Sequence, residues 1–267
     1  MRPSLILLAL ALVAAAPAPG PVPGPVRVIG AQNAGCVAGA VRMPDTGTGE
    51  QTIRLSKSSY WGTPATIAAL QQLGIEAKQA ELPDLYLGDI SDPRGGPLRG
   101  GHFSHQMGID ADVWLDLLGP HPMLPPESRE TIEPASLVRA DGHDIDPAMW
   151  RPAHATLLKL AASLPRIDRI LVNPAIKQAL CREVTGDRAW LRLIRPWYGH
   201  ASHMHIRWQC PADQPLCVQA PPPPPGDGCD ASLQWWFDQL DAPPRPAAAP
   251  APFPALPAAC RAIMAAP

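Results

Sequence analysis

Two short stretches of the chain alternate apolar and polar residues with a period of two. Ile109–Leu115 sets Ile109, Ala111, Val113 and Leu115 against Asp110, Asp112 and Trp114. His203–Trp208 sets Met204, Ile206 and Trp208 against His203, His205 and Arg207. Successive strand residues point to opposite faces, so both stretches predict strands with one apolar and one polar side. Elsewhere the spacing changes. Thr63–Leu73 carries alanine and leucine at helical intervals and predicts a helix, and a second is expected over Pro152–Ser163. A third opens at Asn173-Pro174, with proline in its first turn, and a short one fills Asp187–Leu193. Lys78–Ile90 predicts one or more strands and Arg169–Val172 another. Ser91–Gly101 holds four glycines and two prolines and reads as a loop, and Pro120–Pro126 breaks the chain. There is no internal repeat. Short strands mixed with helices, without a β-α-β rhythm, predict an α+β fold.

Composition changes this picture at the two ends. Met1-Arg2-Pro3 is a basic start, followed by the apolar run Leu5–Ala16 and then small residues. The run is shorter than the roughly 20 residues of a membrane span, so residues 1–20 predict a secretory signal peptide, with an N-terminal anchor as the alternative. No later stretch is long and apolar enough to cross a bilayer. Ala18–Pro25 is a proline- and glycine-rich lead-in, and folded sequence is expected from about Val26. After Cys217 the composition shifts, through Pro221–Pro225 to the proline- and alanine-rich Asp241–Pro257. The chain therefore divides into a signal peptide, a domain over 26–217 and a tail over 218–267 expected to be extended and polyproline-like. Charged residues make up 17% of the 267, with a net charge of −2. That balance argues against a nucleic-acid partner, which calls for a basic patch, and lends no support to an anionic membrane surface. The six cysteines, an even number in an exported chain, predict three disulfides. Fifteen pairings are open to them, and Cys229 and Cys260 are placed to tie the tail to the body.

Candidate chemistry lies in the histidines. Five of the eight fall in two clusters: His102 with His105, and His200 with His203 and His205. His105 precedes Asp112, which is on the polar face of its strand, and His203 and His205 share a face of theirs. If the two strands are neighbours, imidazoles and a carboxylate converge. Two histidines, an aspartate and water make an open zinc site, suited to hydrolysis of an amide. Each spacing alone is equally at home in an ordinary strand. Other hydrolytic classes lack their motifs: there is no H-E-x-x-H, no S-x-x-K and no G-x-S-x-G. There is also no C-x-x-C for a thiolate metal site.

Three segments resemble a known family: GGHFSHQMGIDADVWL (Gly100–Leu115), RILVNPAIKQALC (Arg169–Cys181) and DRAWLRLIRPWYGHASHMHIRWQCPAD (Asp187–Asp213). They are similar to the penicillin-insensitive murein endopeptidases, within the lysostaphin-type, D-Ala-D-Ala-type and hedgehog-like zinc domains. The likeness covers most of Cys36–Cys260. It implies a disulfide-stabilised α+β fold with a central antiparallel sheet and flanking helices, and zinc bound by His105, Asp112 and His205. It implies His203 as a catalytic histidine, and His200 as an accessory residue or a support for its loop. Trp197 is either a wall of the cleft or core. A possible second metal would use His102 and Asp141, with its third ligand at Asp144, where the family pattern has histidine and this chain has His143 one place earlier. The implied disulfides are Cys36–Cys260, Cys181–Cys229 and Cys210–Cys217. The function so implied is a periplasmic zinc endopeptidase cutting D-alanyl–diaminopimelyl cross-links of peptidoglycan. A zinc D,D-carboxypeptidase or dipeptidase and a non-catalytic wall-binding module are the alternatives.

Overall fold

A computed structural model describes residues 19–98, 102–243 and 252–267. The signal-peptide expectation falls almost wholly outside these residues, as do the end of the Ser91–Gly101 loop and the middle of the tail. No helix among the described residues is long and apolar enough to cross a membrane.

The strands are β1 (Arg27–Ala31), β2 (Ala34–Ala38), β3 (Val41–Arg42), β4 (Glu50–Thr52), β5 (Trp61–Gly62), β6 (Leu85–Leu87), β7 (Asp110–Trp114), β8 (Ile167–Val172), β9 (Ile194–Pro196) and β10 (His203–Trp208). The helices are α1 (Pro64–Gln79), α2 (Pro126–Thr131), α3 (Pro152–Ser163), α4 (Pro174–Glu183), α5 (Ala231–Asp241) and α6 (Arg261–Met264). Six strands form one sheet in the order β4-β6-β7-β10-β8-β9, while β1–β2 and β3–β5 are separate antiparallel pairs. The mixed α+β class is as expected. The expected antiparallel sheet holds for its centre, β6-β7-β10-β8, but the sheet as a whole is mixed, since β4 runs parallel to β6 and β8 parallel to β9 at the two edges. Helix α4 and the turn after it carry the chain from the end of β8 back to the start of β9, the crossover that parallel pairing requires.

The central strands obey their alternation. Ala111, Val113, Met204, Ile206, Ile170 and Val172 are at most 1% exposed and share one apolar cluster with residues of α1, α3 and α4. The opposite face of the same strands is left for polar groups. Helix α1 starts where predicted, with Thr63 Oγ1 accepting from Thr66 N at 3.1 Å, but runs to Gln79, beyond the Leu73 its spacing suggested. Gly74 does not break it: a Cβ there would lie 2.4 Å from Glu50 Oε2, so the glycine marks close approach of helix to sheet. Lys78 is consequently helical, and the strand expected over Lys78–Ile90 shrinks to Leu85–Leu87. The helix expected over Asp187–Leu193 is a single 3-10 turn, Ala189–Arg192.

All three disulfides form as the resemblance implied: Cys36–Cys260, Cys181–Cys229 and Cys210–Cys217. The tail is less extended than its composition suggested. Between its proline runs, Asp230 caps α5 by accepting from Ser232 N at 2.9 Å, and Leu233 and Phe237, one turn apart, are buried. The chain end packs on β2 through Cys260 and Ile263. Arg94, itself buried, donates to the carbonyls of Met264 at 3.3 Å and Ala266 at 2.6 Å.

Candidate metal centre

Strands β7 and β10 are antiparallel neighbours, and their register sets His205 directly opposite Asp112 and Arg207 opposite Asp110. The polar faces inferred from alternation are thus one surface. His105 reaches it from the preceding loop. Its backbone is in the left-handed region, at φ 64°, an unusual state for a residue with a side chain. Gln106 helps hold this bend, accepting from Gly35 N at 3.2 Å.

Three nitrogen and oxygen atoms meet at Asp112. His105 Nδ1 donates to the Ile90 carbonyl at 3.1 Å, which leaves Nε2 of the neutral ring with a lone pair. That Nε2 is buried, has no hydrogen bond, and lies 3.3 Å from Asp112 Oδ1. His205 Nε2 donates to Asp110 Oδ1 at 2.9 Å, so its Nδ1 carries the lone pair, 3.1 Å from the same Asp112 oxygen. Two imidazole lone pairs and a carboxylate facing one another repel unless a positive charge lies among them. The donor set therefore suits a divalent cation of the kind imidazole and carboxylate bind. Asp110 was not singled out from the sequence. It fixes the ring and tautomer of His205 and is itself held by Arg207 Nε at 2.6 Å, the outer support that metal-binding histidines commonly have. Its signal was present in the period-two spacing, since Asp110 lies two residues before Asp112 as its partner Arg207 lies two after His205.

The electrostatics agree. Burial alone would raise Asp112, but the adjoining imidazoles of His105, His205 and His203 hold it well below the ordinary carboxylate range. Burial would depress His105, yet Asp112, Asp110 and Asp89 outweigh it and lift its pKa to about 9, so a proton on Nε2 and a metal ion compete for the same place. The spot between these residues attracts positive charge. Away from it, burial and then the neighbouring His205 and His203 push His200 down to about 4, and burial also lowers His203. Both are neutral imidazoles at pH 7. His203 Nε2 stands 3.8 Å from Asp112 Oδ2. His200, at φ 38°, donates from Nδ1 to the Tyr198 carbonyl at 2.9 Å, and its ring centre is 4.9 Å from that of His203.

His102 belongs to the same cluster. His102, His105 and Asp112 offer ligand atoms within 4.8 Å of one another, and its ring packs edge-on to His105. The other two residues of the possible second metal are not brought to it by any contact described. Asp141 is on an exposed turn, paired with Arg139 at 2.9 Å, and Asp144 is paired with Arg182 at 3.3 Å. His143, from the same turn, pairs with Asp241 of α5 at 3.0 Å.

The cluster opens into a groove of about 770 Å³. Beyond the histidines, its walls include Phe103, Leu171, Arg169, Arg195 and Trp197, with Trp236 contributed by α5. Trp197 is 54% exposed, which places it on the wall and not in the core. The three arginines of the groove and Trp236 carry no motif by which sequence could have marked them.

Comparison with known proteins gives a consistent result. A family model described as "Penicillin-insensitive murein endopeptidase" matches residues 28–265. Among curated relatives, a protein of that name from Klebsiella pneumoniae (strain 342) is 40% identical over 246 residues, covering 90% of this chain and 87% of the relative. The one from Haemophilus influenzae is 43% identical over 225 residues, with 84% and 76% covered. A Yersinia enterocolitica relative is 40% identical over 243 residues, with 90% and 86% covered.

Proposed function

The chain belongs to the penicillin-insensitive murein endopeptidase family, and from that premise we propose that it is an exported zinc enzyme that hydrolyses the D-alanyl–diaminopimelyl amide between two murein stem peptides. The observation that carries the reading is the meeting of His105 Nε2, His205 Nδ1 and Asp112 Oδ1 on the floor of an open groove. These three residues would hold the metal. Bound there, zinc supplies Lewis acidity towards the scissile carbonyl and lowers the pKa of its water.

The remaining work falls to the chain's own groups. The groove orients the peptide, with Trp197 and Trp236 as aromatic walls. His203, neutral and facing the groove beside Asp112, accepts a proton at one ring nitrogen or donates a hydrogen bond to the oxyanion that forms on the D-alanyl carbon. His200 lines the same space and keeps its ring fixed through the Tyr198 carbonyl. Hydrolysis needs no serine, and the chain carries none of the serine-enzyme motifs, so a β-lactam has nothing to acylate. Export is supported by the basic start and the apolar run Leu5–Ala16, and by three disulfides, which need an oxidising compartment.

The test is digestion of purified cross-linked muropeptide dimers. Monomers are expected in the presence of zinc and penicillin, and none after chelation. His203→Ala is expected to retain zinc while losing roughly 10²–10⁴-fold in turnover, the usual weight of an acid–base group. Dimers left intact by the zinc-loaded protein would overturn the reading. Release of D-alanine or a dipeptide in place of monomers would move it to a carboxypeptidase.

A further inference from the structure

The row of paired residues that brings Asp112 to His205 continues across the sheet. His205 stands opposite Leu171 on β8, and Leu171 opposite Arg195 on β9. Paired residues of adjacent strands share a face, so Asp112, His205, Leu171 and Arg195 lie side by side, and all four line the groove. Two strand spacings, about 10 Å, separate Arg195 from His205. An arginine side chain and one substrate residue together cover that distance.

Among the described residues, Arg195 differs from its neighbours in having no partner. Arg207 Nε donates to Asp110 at 2.6 Å, and Arg169 Nε to Asp168 at 2.6 Å. Arg195 makes no hydrogen bond or ion pair among the described residues. Asp230 is the carboxylate in its field, but it caps α5 through Ser232 N at 2.9 Å. The guanidinium nonetheless lies against a tight turn. A Cβ on Gly228 would lie 2.7 Å from Arg195 Nη1, so the turn at that glycine, at φ +67°, leaves the room the side chain occupies. Burial and the nearby Arg169 both act against its charge, an arrangement that an incoming anion relieves. A guanidinium presents a planar fork of donors that matches a carboxylate.

On the endopeptidase reading, on which this inference rests, the residue on the amine side of the scissile amide carries a carboxylate on the carbon next to the amide nitrogen. We propose that Arg195, with Arg169 beside it, binds that carboxylate and so selects cross-links in which it is free over those in which it is amidated.

Two synthetic dimers, identical except for a carboxylate or a carboxamide at this position, test the assignment. Zinc-loaded wild-type protein is expected to favour the acid by roughly tenfold or more in kcat/KM. Arg195→Gln is expected to lose that preference, chiefly through KM, and Arg195→Lys to keep part of it. The metal-free proteins are also titrated with the diaminopimelate-bearing product peptide and its amide, where wild type alone is expected to bind the acid more tightly. Equal cutting of both dimers by wild type, or an undiminished preference in Arg195→Gln, would overturn the proposal. So would a proportional loss on both dimers in that variant, since it would show that Arg195 does not read the charge. If wild type cuts neither dimer, the endopeptidase reading fails, and the binding titration still decides whether Arg195 takes the carboxylate.

Discussion

At the scale of single residues, the centre depends on groups that touch Asp112 and on groups that hold those in turn. Asp110 Oδ1 accepts from both His205 and Arg207. Asp110→Asn keeps the shape but replaces a charged acceptor of the imidazole proton, and is expected to weaken zinc affinity by about 10–100-fold without unfolding the protein. Competition with a chelator of known affinity measures it, and unchanged affinity would count against Asp110 as the support of His205. Much of the site was legible here. Alternation placed Asp112 on one polar face and His203 and His205 on another, and the two faces are now one. What the spacing did not reveal was which residues stand opposite one another, because register is a property of the pair of strands. Asp110 and Arg207 were legible as members of those faces, but not as partners of each other, for that reason. The left-handed turn at His105 was likewise hidden, since nothing in the residue's type announces it.

At the scale of elements, the long amphipathic segments were readable and the short or irregular ones were not. Helix α3 and strand β10 match the predicted bounds, because burial of one face repeats along them. Parallel edges β4 and β9 are three residues each, too short to carry a period, and their direction is set by the crossovers that deliver them. Helix α5 was hidden by the prolines around it, although Leu233 and Phe237 one turn apart carry its buried side. Edge strand β4 also holds Glu50, 1% exposed, with Oε2 lacking any partner. Burial, reinforced by Asp84, lifts its pKa from 4.5 to about 7. Between those values the folded chain binds more protons than the unfolded, so this residue's contribution falls as pH rises and leaves a penalty above 7. Glu50→Gln is expected to match wild type near pH 4 and to exceed it by about 2–3 kcal/mol at pH 8 in urea unfolding. A constant difference across that range would rule Glu50 out as the source. Helix α5 supplies a separate expectation. The Cys181–Cys229 bond anchors the segment leading into it, and Trp236 lines the groove. Replacing both cysteines with serine should cost about 2–4 kcal/mol of stability and raise KM for dimers as well. Stability lost with KM intact would separate the helix from substrate binding.

At the scale of the molecule, a small net charge and a proline-rich tail said little, whereas the cysteines said a great deal. Their even number, with the signal peptide expected at the N-terminus, foretold three bonds, but the partners came from family likeness, since fifteen pairings satisfy the count equally. The structure makes the longest of them a closure between the two ends of the fold: Cys36 on β2 and Cys260 are 224 residues apart in sequence. A chain joined in this way contains a closed loop from Cys36 to Cys260, and a loop cut once is still one piece. In an envelope shared with other proteases, a single nick at any point between Cys36 and Cys260 leaves both fragments tethered, with the groove's two walls still covalently linked. Limited proteolysis should therefore yield one band of full mass on a non-reducing gel and two fragments after reduction. Loss of activity should then follow the thiol reagent more closely than the protease.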